Sequence, residues 1–106
     1  MSQPLLVLTT FPDIDTAQRL AKALVQEKLA ACVNIMPEGT SIYEWQGEIC
    51  NESEYLAVIK TTDDRYQDLE RFIQEQHPCE LPEIISTLIN NGSKKYLDWL
   101  TTNTIL

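Results

Sequence analysis

The sequence predicts an α+β fold: a ferredoxin-like sandwich of the split-βαβ kind, in the order βαββαβ, with an extended central hairpin and a C-terminal helix. Three observations predict it. Short runs of β-forming residues alternate with helix-period segments from end to end. Two of the β segments follow one another directly, meeting at Gln46-Gly47, which marks a hairpin. The chain has 106 residues with no linker, repeat or low-complexity stretch, so residues 1–106 read as a single domain.

The elements follow in order. Leu5 to Thr10 is an apolar run of β formers between Pro4 and Pro12 and reads as a buried first strand. Pro12-Asp13 is a helix start, with Asp13 or Asp15 meeting the unpaired N–H groups of the first turn. Ile14, Ala17, Leu20, Ala21, Leu24 and Val25 recur at helical spacing, and Arg19, Lys22, Gln26 and Glu27 fall mostly between them. Ala31 to Met36 returns to a strand, and Pro37-Glu38-Gly39 interrupts it with a bulge or kink. The strand resumes at Thr40 and runs through Ile42, Tyr43 and Trp45 to the turn. The returning arm leaves through Glu48 to Cys50 and reaches Tyr55–Thr62.

Asp63-Asp64 offers two caps for a second helix, with Tyr66, Leu69, Phe72, Ile73 and Gln76 on one face. Pro78 ends it, because a residue before proline avoids the helical region. A stiff Pro78–Pro82 loop leads to a last strand, Ile84 to Asn90. After the Asn91-Gly92 turn, Ser93 caps a short helix carrying Tyr96, Leu97, Trp99 and Leu100. In this order both main helices cover one face of the sheet. The hairpin arms exceed what that sheet needs and carry Tyr43, Trp45 and Tyr55. A long aromatic strand edge invites association, so the hairpin is expected to extend onto a second copy of the chain.

Composition narrows the function. A hydrophobic fraction of 43% with 23% charged residues is that of an ordinary globule. Eight basic against sixteen acidic residues give a net charge of −8. That sign opposes non-specific nucleic-acid binding and attachment to anionic membranes, and it is compatible with a metal cation. No apolar run is long enough to span a bilayer, and Leu5–Leu8 is too brief for a signal-peptide core, so a cytoplasmic location is expected. Three cysteines, Cys32, Cys50 and Cys79, form neither a disulfide framework nor a zinc-ribbon spacing.

Five strings then carry a resemblance: Glu27-Lys28-Leu29-Ala30-Ala31-Cys32-Val33-Asn34; Tyr43-x-Trp45-x-Gly47; Ile59-Lys60-Thr61-Thr62; His77-Pro78-Cys79-Glu80-Leu81-Pro82-Glu83-Ile84; and Tyr96-Leu97-Asp98-Trp99-Leu100. Together, from about Leu5 to Leu100, they resemble the CutA family of divalent-cation tolerance proteins. The resemblance implies a homotrimer built by the long hairpins and an architecture like the nitrogen-signalling PII proteins. It also implies tolerance to copper and other divalent cations, with metal positions carried onto Cys32, His77 and Glu83. It implies no catalytic reaction. Two departures stand out: Cys79 replaces the usual aromatic after His-Pro, and Gln76 stands where some members carry a second histidine.

Each candidate has two readings. His77, the only histidine, is a ligand for copper or zinc, or a residue favoured at a helix C-terminus. Cys32 is a soft ligand or a small buried apolar residue. Cys79 is a further ligand or an ordinary loop thiol. A Cys–His nucleophile pair lacks an orienting group and an oxyanion donor, so no enzyme is expected. Glu83, with Glu80, completes a mixed site suited to Cu(II) or zinc, or pairs with Lys60. In a PII-like signalling protein, the alternative function, Lys60, Trp45 and Tyr43 hold a small anionic ligand between subunits. Otherwise they are interface packing.

Overall fold

The computed structural model describes residues 2–105, and its first strand shows why the chain folds as it does. In β1 (Pro4–Phe11) the side chains of Leu5, Val7, Thr9 and Phe11 are buried on one face, while Leu6, Leu8 and Thr10 are half-buried on the other. Helix α1 spans Ile14–Gln26, followed by β2 (Cys32–Ile35), β3 (Gly39–Trp45) and β4 (Glu48–Thr62). A 3-10 turn at Asp63–Arg65 leads into α2 (Tyr66–Gln76), then β5 (Ile84–Leu88) and α3 (Lys94–Thr102).

The sheet is antiparallel throughout, in the order β2-β4-β1-β5, with β3 pairing β4 beyond β2. Strand β1 is central. It pairs with β4 from Pro4↔Thr62 to Phe11↔Tyr55, and with β5 from Leu5↔Leu88 to Thr9↔Ile84. The core gathers Val7, Phe11, Ala57 and Ile59 of the sheet with Ala17, Leu20 and Leu24 of α1 and Leu69 and Ile73 of α2. Both main helices therefore share one face, as the element order requires. Helix α3 covers part of the other face. It packs on β4 and β1, buries Leu100 completely, and is tied down by the Thr62–Thr104 hydroxyl hydrogen bond of 3.3 Å.

The expected first hairpin arm is two strands. Pro37 has no N–H to give the ladder, so pairing breaks between Ile35 and Gly39. Strand β2 stays in the main sheet opposite Ala57–Lys60, and β3 pairs with Glu48–Glu54 to form a ribbon that extends the molecule to 44 Å along its longest axis. At the tip, Gln46 (φ 53°) and Gly47 (φ 84°) both occupy the left-handed region that a tight hairpin turn requires.

Asp13 caps α1. Its carboxylate accepts the Thr16 N–H at 2.7 Å and the Thr16 hydroxyl at 3.0 Å, and the backbone bond foremost holds its pKa below the usual value. Ser93 caps α3 in the same way, accepting the Tyr96 N–H at 3.1 Å. Asp63 and Asp64 do not cap α2 as expected. Asp63 accepts the Gln3 N–H at 2.9 Å, and Asp64 accepts the hydroxyls of Thr62 at 2.6 Å and Ser2 at 2.9 Å. The acidic pair fastens the start of β1 to the end of β4. The last strand stops at Leu88, short of Asn90, because its partner β1 begins there; the Ile89 N–H makes a last bond to the Pro4 carbonyl at 3.0 Å.

Thr9 is fully buried, and its hydroxyl finds no hydrogen-bond partner among the described residues. A buried hydroxyl without a partner costs free energy that a methyl group does not. Thr9→Val is expected to raise stability by about 1 kcal/mol in urea denaturation. A loss of stability would show that the hydroxyl is satisfied in the folded protein.

Candidate functional site

Pro78 forces the preceding residue out of the helix, and His77 adopts an extended backbone (φ −75°, ψ 135°). This turns the imidazole inward, leaving His77 9% exposed. The ring stacks on Phe11 with centroids 5.2 Å apart and planes 18° from parallel. Its Nε2 lies 2.6 Å from the Thr10 carbonyl oxygen, and the Cys79 N–H donates to Nδ1 at 3.0 Å. The loop from Pro78 to Glu83 is thereby fastened to the end of β1.

That loop faces the ribbon across an open cleft of about 590 Å³. Strand alternation puts Tyr43 and Trp45 of β3 on the same ribbon face as Glu52 and Glu54 of β4, and all four line the cleft. Cys79, Glu80 and Glu83 line it from the loop. From residue 29 to residue 59 the chain holds five glutamates and no lysine, arginine or histidine, so the ribbon's field is negative. The field is felt locally. The Tyr43 phenol donates to Glu52 at 3.1 Å, and that bond is the main cause pushing its pKa up to about 12. The Cys79 thiol is pushed up first by burial and then by the charges of Glu54 and Glu52.

The remaining candidates lie elsewhere. Cys32 opens β2 opposite Lys60 on the sheet face that α3 partly covers. The Lys60 ammonium donates to the Asn34 side-chain oxygen. Tyr96 of α3 sits by Cys32, its phenol raised by partial burial and then by the thiol. Lys60 aligns with Leu6 on β1, whereas His77 touches Thr10. Four residues of strand separate those positions, about 13 Å.

Within one subunit the structure thus brings His77, Cys79, Glu83, Tyr43 and Trp45 to one cleft and leaves Cys32 and Lys60 at the other end of the sheet. Cys32 does not join His77 and Glu83, nor does Lys60 join Tyr43 and Trp45. The ion pairs among the described residues are Arg65–Asp68, Arg71–Asp68 and Lys94–Asp98, so Glu83 does not pair with Lys60. Among the described residues no three His, Cys, Asp or Glu side chains converge closely enough to grip an ion. Glu52 and Glu54 were absent from the candidates drawn from the sequence. Period-two alternation with Tyr43 and Trp45 across the hairpin was the signal that identifies them. As donors, the cleft's carboxylates and thiol suit a divalent cation, and both imidazole nitrogens have backbone partners within the subunit.

Sheet order, crossover helices and the protruding acidic ribbon define a five-stranded antiparallel α+β protein whose cleft is walled by carboxylates. A family model described as CutA1 divalent ion tolerance protein matches residues 5–103, and the chain belongs to that family. It is 48% identical over 98 residues to a divalent-cation tolerance protein CutA of Thermus thermophilus, covering 92% of this chain and 95% of that protein. It is 39% identical over 102 residues to a CutA of Yersinia pestis, covering 96% and 86%. The fold matches a solved divalent cation tolerance protein of Thermus thermophilus with a TM-score of 0.93 at 46% identity, over 95% of this chain and 98% of that one. It also matches CutA of Xylella fastidiosa with a TM-score of 0.95 at 36% identity, over 98% and 100%. These names describe a tolerance role and not a reaction.

Proposed function

We propose that this chain serves divalent-cation tolerance as a homotrimer, drawing copper(II) or zinc into the acidic cleft beneath each ribbon, whose side chains draw together around the ion only as it binds. The observation that carries the reading is the cleft itself. Four glutamates and a thiol line it with no lysine or arginine among them. A concave acidic wall focuses field lines and raises the local concentration of cations. Oxygen donors beside one sulfur suit a borderline ion. The ribbon supports assembly: Ile42 is 68% and Ile49 73% exposed, on the same ribbon face, and a second copy laid along it removes both from water.

Ligands must be deprotonated to bind metal. Because the Cys79 thiol is held above its usual value, metal uptake through it releases a proton and weakens as pH falls. Calorimetric titration of copper(II) and zinc into the protein, Glu83→Gln and Cys32→Ser tests the reading. Glu83→Gln is expected to bind at least about tenfold more weakly, and Cys32→Ser to bind like the parent. Equal affinity in Glu83→Gln, or loss of binding in Cys32→Ser, overturns it.

A further inference from the structure

The hydrogen bonds around His77 assign it a role other than ligand: we infer that it is the positioning residue of the cleft, and that cations bound there are held without its imidazole. The inference rests on the reading of the cleft as a cation site.

The direction of each bond carries it. A backbone carbonyl only accepts, so Nε2, 2.6 Å from the Thr10 oxygen, carries the ring proton. A backbone N–H only donates, so the lone pair of Nδ1 is taken by Cys79. Neither nitrogen has a lone pair to offer a metal. Ligation through Nδ1 releases the Cys79 N–H. Ligation through Nε2 requires loss of its proton and of the Thr10 contact. A half-turn of the ring places carbon atoms against both partners, so both bonds are lost. The Phe11 stack and the near-complete burial of the ring oppose either motion.

The ring thus links Thr10 near the end of β1, 67 positions before His77, to the amide of Cys79, the third residue beyond α2. Pro78 and Pro82 stiffen the loop on either side of Cys79 and Glu80. With Cys79 pinned, the loop that carries Glu80 and Glu83 keeps its place across the cleft from the ribbon's Glu52 and Glu54.

Two substitutions divide the clasp. His77→Asn keeps an acceptor near Nδ1, and His77→Gln keeps a donor near Nε2. Nitrogen-15 spectra of the full-length protein are recorded through a titration with zinc, which is diamagnetic. The His77 pattern is expected to show a proton on Nε2 alone and to stay unchanged to saturation. Exchange of the Cys79 amide is expected to be at least about fivefold faster in His77→Ala than in the parent and close to the parent in His77→Asn. Zinc affinity is expected to be retained in His77→Asn and His77→Gln better than in His77→Ala.

A zinc-induced shift of either His77 nitrogen to a coordinated value overturns the inference. So does a Cys79 amide that exchanges equally in all four proteins. Failure of every protein to take up zinc removes the cation reading of the cleft, while the tautomer and the Cys79 exchange still decide the clasp.

Discussion

Phe11→Ala is expected to destabilise the protein by about 3–5 kcal/mol, a large part of the total stability of a domain this size. The ring is 1% exposed and belongs to the main core, so its removal leaves a cavity between β1 and the helices. It also closes the end of β1 opposite Tyr55 and carries the stack with His77. Truncation therefore reaches the cleft: with the stack gone, His77 loses its flat support and the Cys79–Glu83 loop loosens. Urea denaturation measures the first effect and exchange of the Cys79 amide the second. Phe11→Leu separates them, because it restores most of the buried apolar volume without a ring to stack. It is expected to recover much of the stability and little of the amide protection. Full recovery of both would show that the stack plays no part in holding the loop.

Leu100→Ala is expected to cost about 2–5 kcal/mol. Leu100 is fully buried on the sheet face away from α1 and α2, and α3 is otherwise held there by the Thr62–Thr104 hydroxyl contact and a few side chains. Loosening α3 lifts Tyr96 from beside Cys32. Thiol labelling in a Cys50→Ser, Cys79→Ser background is expected to reach Cys32 faster in the Leu100→Ala protein. A loss of stability below about 1 kcal/mol with unchanged labelling would show that α3 docks through other residues.

What was legible in the sequence was what short-range physics decides. The β-forming run of Leu5 to Thr10, the Asp13 and Ser93 caps, the Gln46-Gly47 turn and the Pro78 helix stop each depend on neighbours within a few residues. Illegible features depended on strand register. Asp63 and Asp64 look like helix caps until β1 brings Gln3 and Ser2 beside them. Within one subunit Cys32 and His77 lie apart, because pairing sets Cys32 level with Leu6 and His77 level with Thr10. The bonds that occupy His77 include one to a backbone carbonyl, which leaves no mark in residue identity. Half of the cleft was visible as the His77–Glu83 string and the Tyr43, Trp45 pair. Its carboxylate wall at Glu52 and Glu54 emerged only once β3 and β4 were paired residue by residue.

Native mass spectrometry of the protein and of Glu83→Gln, with zinc present, joins assembly and cation binding in a single reading. The exposed ribbon predicts a homotrimer and the cleft within each subunit predicts zinc uptake of about one ion per subunit, with a Glu83→Gln trimer that takes up less at the same concentration. A lone subunit at micromolar concentration, or a trimer whose zinc uptake is indifferent to Glu83, would contradict it.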